Sequence, residues 1–201
     1  MPINRPTLLI RADAGPAIGT RHVTRSLSVA RAWKNSGGTV ALACGLLPRG
    51  LLKKIASEQI HFIPLNHSEC DQADAMETKR IAATMHPDWI ILDGDRFEEK
   101  YLTSLKQGQA KLLLIEDHGS TRTRLADIVL NQTATRDNSP VTHQHGGSLS
   151  LGGPEFVLLD GFMNDSESSP PPPKRILKEA RKILVSLGER DKENWTLKTL
   201  Q

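Results

Sequence analysis

Two cysteines, Cys44 and Cys70, are all that 201 residues carry. That is too few for a disulfide framework and fits a reduced, cytoplasmic protein. No apolar run approaches the ~20 residues of a membrane span. Met1 to Ile10 lack the basic segment and long apolar core of a signal peptide. Charge of one sign is also scarce. There are 26 basic and 23 acidic residues, a net charge of +3, which is too small an excess to mark a nucleic-acid partner. Part of it sits in one run, Lys174, Arg175, Lys178, Arg181 and Lys182, which reads as the solvated start of a helix. Internal repeats are absent. Apolar residues make up 38%, and a chain of this length buries about 70% of its unfolded surface. One full domain, with part of a second, is the expected organisation.

Short apolar runs alternate with helical patterns. Thr7 to Ile10, Thr39 to Ala43, Ile60 to Leu65, Trp89 to Leu92, Leu112 to Ile115 and Ile128 to Leu130 read as strands. Between them, Val23, Leu27, Ala30 and Trp33 recur at helical spacing within Thr20 to Lys34. Further helices are expected after Pro48, over Asp74 to Met85 and over Glu98 to Lys106. Strands alternating with helices predict βαβ units: an α/β, Rossmann-like parallel sheet covered on both faces. The continuous apolar runs agree, since parallel strands are buried on both sides.

Arg136 to Gly153 is polar and without period, and reads as a long loop. Asp165 to Pro173, ending in four prolines, reads as a semi-rigid linker. Beyond it Lys182 to Gly188 has the pattern of a strand and Asn194 to Leu200 that of a helix. The chain therefore divides into a domain over residues 1–163, a Pro-rich linker over 164–176, and the opening of a second Rossmann-like domain over 177–201.

Polar residues gather just after the strands: Asp13, Asp93, Glu116 with Asp117, and Asn131 with Gln132. In open parallel sheets ligands bind beyond the carboxyl ends of the strands, although Asp and Asn also cap helices and form turns. The loop from Asp13 to His22 joins the first strand to the first helix. A helix N-terminus offers free amides to an anion, and the glycines allow tight turning. The loop has neither the Walker A pattern nor the dinucleotide Gly-x-Gly-x-x-Gly. His22 falls in the first helical turn, facing the same crevice, where a neutral imidazole can serve as a general base. Asp93-Gly94-Asp95 resembles the Asp-x-Asp of haloacid-dehalogenase-type phosphatases, but Phe97 stands where that motif has Thr or Val. His143 and His145 have no third ligand at metal-binding spacing, and no nucleophile elbow is present. No metal and no cofactor is expected.

Together the segments resemble a known family. Arg11-Ala12-Asp13, then Ile18-Gly19-Thr20-Arg21-His22-Val23-Thr24-Arg25-Ser26-Leu27, are similar to the opening of the nucleotide-sugar hydrolases of pseudaminic acid biosynthesis. That group includes spore-coat polysaccharide biosynthesis proteins and is similar to MurG-like glycosyltransferases. Pro87-Asp88-Trp89 through Asp93, Glu116-Asp117, Asp127 to Gln132, Leu151 to Leu159, and Val185 to Gly188 with Asp191, Asn194 and Thr196 match further family segments in order.

The resemblance implies the N-terminal part of a GT-B architecture, two Rossmann-like domains facing across a cleft. It implies a UDP-sugar substrate and release of UDP by water attack at the anomeric carbon, with His22 as base. Asp13, Gly19, Thr20, Arg21, Asp93, Asp117, Asn131 and Gln132 are implied on the sugar side, and Gly188 and Asn194 on the nucleotide side. The chain departs from the family at Arg21, which replaces a glycine and can pair with a diphosphate. It departs again at Asp160 and at Glu189. With the diphosphate held mainly by the second domain, the 201 residues alone are expected to bind UDP weakly and to hydrolyse UDP-sugars slowly. Two other readings are a non-catalytic sugar- or partner-binding module and a metal-assisted phosphatase centred on Asp93.

Overall fold

The computed structural model describes residues 5–117, 125–133, 141–159, 182–185, 187, 191 and 193–201. The Pro-rich linker, the basic run up to Arg181, Asp160, Gly188 and Glu189 lie outside them.

β1 (Thr7–Ala12) is the centre of the sheet, with β2 (Thr39–Cys44) on one side and β4 (Trp89–Asp93) on the other, both parallel to it. β3 (His61–Pro64) extends the sheet beyond β2. β5 (Lys111–Ile115) and β6 (Ile128–Asn131) extend it beyond β4. The order β3-β2-β1-β4-β5-β6 is that of the doubly wound dinucleotide-binding fold, an α/β, Rossmann-like arrangement. The order in which successive strands are added reverses between β1 and β4, so a crevice opens there at the carboxyl edge.

Residues alternate between two cores, as the two-residue period of a strand requires. From β1, Leu8, Ile10 and Ala12 pack with Val23, Leu27 and Ala30 of α1 (Arg21–Asn35) and Ile55 of α2 (Arg49–Ser57). Leu9 points the other way, among Ala75 and Ile81 of α3 (Gln72–Met85) and Tyr101, Leu102 and Leu105 of α4 (Glu99–Lys106). Two polar residues of the matched segments act as braces. Asp88 accepts the Thr7 amide at 2.7 Å, tying the starts of β4 and β1. Asp127 accepts the Leu112 amide and the Lys106 ammonium, both at 2.7 Å.

The structure departs from the sequence reading in two places. Within the expected loop of 136–153 lies a hairpin, β7 (Val141–His145) and β8 (Ser148–Gly152), turning at Gly146 and Gly147. Both glycines have positive φ, 58° and 87°, as a type I′ turn demands. β8 docks parallel to β6, leaving β7 at the edge as the single antiparallel strand among the described residues. The second departure is the strand expected over Lys182 to Gly188. Lys182 to Val185 are irregular, with Ile183 and Leu184 exposed. No described strand pairs with this segment, and a lone strand leaves its backbone groups unbonded. The expected helix is present as α5 (Trp195–Leu200), its first amides held by the Asp191 carboxylate at 2.6 and 2.8 Å.

Candidate functional site

β1 and β4 end side by side, Ala12 in register with Asp93, and α1 starts over this junction. Between β1 and α1 the chain folds on itself. The Gly15 amide donates to the Gly19 carbonyl at 3.0 Å and the Gly19 amide to the Gly15 carbonyl at 2.7 Å. Gly19 has a φ of 76°, a left-handed conformation that suits a residue without Cβ. This closed turn delivers Thr20 to the N-cap position and His22 to the first turn of α1.

His22 is 5% exposed. Its Nδ1 lies 2.8 Å from Asp93 Oδ1. The same carboxylate accepts Arg25 Nε at 3.0 and 2.8 Å and the Ser26 hydroxyl at 3.0 Å. With Asp93 acting as acceptor on both oxygens, Nδ1 carries the proton, and Nε2 is the basic nitrogen. Arg25 also donates to both oxygens of Asp117, at 2.8 and 2.9 Å. Its guanidinium therefore spans the ends of β4 and β5. Burial alone would lower its pKa, but the hydrogen bonds and charge of Asp93, then of Asp117, raise it above the usual arginine value. Arg21, more than half exposed, adds a third cationic contact to Asp117 at 2.8 Å.

The start of α1 separates two cavities. The smaller, of about 130 Å³, is lined by Asp13, Ile18, His22, Asp93, Asp95 and Phe97, among others. The larger, of about 460 Å³, is lined by Arg21, Arg25, Asp117, Gln132, Thr133 and Leu158, among others. His22 thus faces one chamber and the arginines the other.

Asp13 is held on both sides. One oxygen accepts the amides of Gly45 and Leu46 at 2.8 and 3.2 Å, and the other pairs with Arg11 at 2.7 Å. Gly45 cannot carry a side chain, since a Cβ would stand 2.6 Å from the His67 carbonyl oxygen. Arg11 is fully buried and also binds Asp74, through Nε at 3.0 Å. Asp74 in turn accepts the Tyr101 hydroxyl at 2.7 Å. Burial would raise the Asp74 pKa, but the hydrogen bonds and charge of Arg11 hold it below the usual carboxylate range. Asp13, Cys70 and Asp74 bring potential metal-ligating atoms within 4.8 Å of one another. Arg11 already supplies the cation to both carboxylates, and burial pushes the Cys70 thiol up to about 12, so this donor set is poorly suited to a metal.

Of the residues singled out from the sequence, Asp13, His22 and Asp93 meet at the smaller chamber, and Arg21, Asp117 and Gln132 at the larger. Gly19 and Thr20 shape the approach to α1. Asn131 turns inward on its own loop, its Oδ1 accepting the Thr133 amide at 2.8 Å. Asn194 begins α5 and lines neither chamber. Gly188 lies outside the described residues. Asp93 is not placed as a phosphatase nucleophile, because both its oxygens are engaged by His22, Arg25 and Ser26. Arg25 and Ser26 were missed as site residues. Their signal was spacing, since positions three and four beyond His22 share its helical face.

No known family model matches the chain. It is 23% identical over 197 residues to an uncharacterised protein of Methanocaldococcus jannaschii, covering 96% of this chain and 39% of that protein. The chain thus spans about two fifths of the curated relative it matches. Among solved structures it is similar to a glycosyltransferase from Rickettsia africae, with 17% identity and a TM-score of 0.49 over 64% of this chain and 37% of that one. It is also similar to MurG of Acinetobacter baumannii, with 14% identity and a TM-score of 0.49 over 70% of this chain and 44% of that one. A short-chain dehydrogenase from Streptomyces avermitilis aligns at 12% identity and a TM-score of 0.42 over 82% of this chain and 78% of that one. No helix among the described residues is long and apolar enough to cross a membrane.

Proposed function

We propose that this chain is the sugar-side domain of a nucleotide-sugar-processing enzyme of surface polysaccharide biosynthesis, built on the GT-B plan. The reaction it best fits is hydrolysis of a UDP-sugar. The observation that carries this reading is the His22–Asp93 pair at 2.8 Å, seated where β1 and β4 end side by side. Asp93 fixes the ring and its tautomer, leaving Nε2 as the acceptor for a proton of water at the smaller chamber. Arg25 and Ser26 hold Asp93 in place. The cationic second chamber, with Arg21 at its rim, lies on the side from which a diphosphate would be presented. Such a partition places the sugar against the first domain and the nucleotide against a second, which the motif around Gly188 and Asn194 would open.

The experiment is saturation-transfer NMR of the chain with UDP-N-acetylglucosamine. Sugar protons are expected to receive more saturation than uracil protons, and His22→Ala to alter the sugar signals selectively. Stronger saturation of the uracil would put the nucleotide on this domain and overturn the assignment of sides. No saturation of either would remove the sugar-binding reading.

A further inference from the structure

Gln132 lines the larger chamber with Arg21, Thr24, Arg25, Asp117 and Thr133. Its Nε2 is sealed from solvent and has no hydrogen-bond partner among the described residues. A buried donor left unbonded is destabilising, and at a chamber wall it calls for an acceptor that arrives from outside. The other polar groups of the lining are committed. The Arg25 guanidinium is spent on Asp93 and Asp117. Asp117 accepts Arg25 at 2.8 and 2.9 Å and Arg21 at 2.8 Å. The Thr24 hydroxyl donates to the Arg21 carbonyl at 3.0 Å, and the Thr133 hydroxyl to the Asp117 carbonyl at 2.9 Å. Two donors are left over: the Gln132 amide and the part of the Arg21 guanidinium turned away from Asp117. A neutral donor beside an exposed cation suits a group that only accepts and carries negative charge. The terminal torsion of glutamine is broad, so a turn of the carboxamide brings its unbonded N–H groups into the chamber.

We infer that Gln132 is a phosphate-binding residue, donating from Nε2 to an oxygen of the sugar-linked phosphate while Arg21 pairs with the same diphosphate. This rests on the nucleotide-sugar reading above and gives the first domain its own share of the diphosphate. Bonding relieves the unpaired donor, so part of the affinity is held in the free chain as an unmade hydrogen bond. Val157 and Leu158 complete the lining, and their apolar surface lowers the local dielectric and strengthens such a bond. Glutamine also brings no charge of its own. It therefore adds a directed contact to the phosphate without competing with Arg21 and Arg25 for the Asp117 carboxylate.

Side-chain amide NMR with inorganic pyrophosphate tests this. The Gln132 amide pair is identified by its loss from the spectrum of Gln132→Leu. On titration with pyrophosphate this pair is expected to shift, and Gln132→Leu to weaken binding by roughly 10-fold. Gln132→Glu, which replaces the donor by a negative charge, is expected to abolish it. Leucine is of similar volume and removes an unbonded donor, so the urea midpoint of Gln132→Leu is expected to equal or exceed that of the wild type. A clearly lower midpoint would give Nε2 a partner in the fold and overturn the inference. An unmoved Gln132 amide with pyrophosphate bound, equal affinity of wild type and Gln132→Leu, or no binding at millimolar pyrophosphate overturns it equally. The sugar reading fails separately. Pyrophosphate bound through Gln132, with no saturation of the sugar protons of UDP-N-acetylglucosamine, keeps the phosphate site and removes the sugar.

Discussion

His22 and Asp93 are separated by 71 positions, yet their side chains meet at 2.8 Å. The fold achieves this by running β1 and β4 as parallel neighbours and starting α1 directly above their ends. The contact is part of a chain of hydrogen bonds and ion pairs, His22–Asp93–Arg25–Asp117–Arg21. Each member restrains the next, and several consequences can be measured.

Arg25→Ala is expected to destabilise the protein by about 3–5 kcal/mol, because it leaves the buried Asp93 carboxylate without its guanidinium. Arg25→Lys is expected to recover only part of this, since an ammonium cannot bond both carboxylates through a planar fork. Urea denaturation at neutral pH reads both. A loss under 1 kcal/mol for the alanine variant would mean that Arg25 is a surface group.

Asp74 should make the fold acid-sensitive. Despite burial, which acts the other way, Arg11 holds the Asp74 carboxyl below its ordinary value in the folded chain. The stabilisation is therefore complete above the unfolded value of about 4 and is lost as pH falls through the lower folded value. Urea midpoints measured from pH 7 down to pH 2 should fall more steeply in the wild type than in Asp74→Asn, which should already be less stable at pH 7. Parallel curves would assign the acid transition to other carboxyls.

Cys44 and Cys70 are buried, and burial pushes both thiols up to about 12. Neither forms much thiolate at pH 8 while the chain is folded, and the thiolate is the form that reacts. Alkylation by iodoacetamide at pH 8 is expected to follow the urea unfolding curve. Rapid modification of either thiol in native protein would show local opening around it.

Arg21→Gly addresses the rim of the larger chamber. Any residual affinity of the chain for UDP is expected to drop by roughly 10-fold on losing this charge-assisted contact, an effect of about 1.5 kcal/mol. Calorimetry with UDP on both proteins checks it. Tighter binding by the glycine variant would make Arg21 an obstruction instead of a ligand.

Most of the sheet was legible because its strands are continuous apolar runs, such as Trp89 to Leu92, and its helices have a clear apolar stripe, such as Val23, Leu27 and Ala30. The hairpin was not, although Gly146-Gly147 is a strong turn signal. Ser148-Leu149-Ser150-Leu151 is an edge-type alternation, easily taken for polar loop when the neighbouring segment lacks periodicity. At the site, Asp13, His22, Asp93 and Asp117 were visible from their position after strands. Arg25 was hidden because arginine on a helix is ordinarily a solvated residue, and only the fold brings the buried Asp93 carboxylate and the half-buried Asp117 to it.

Thr20 occupies the N-cap of α1 without a side-chain cap bond. The turn bearing His22 is instead tied to the sheet by side chains reaching down to β4, His22, Arg25 and Ser26 all bonding Asp93. Its local stability and its chemistry share one anchor. When Asp93 loses its grip, this turn will open on its own, well before the sheet beneath it, and amide exchange at Thr24 to Ser26, whose helical bonding starts with the Thr24 amide on the Thr20 carbonyl, will quicken while the amides of β1 and β4 stay protected.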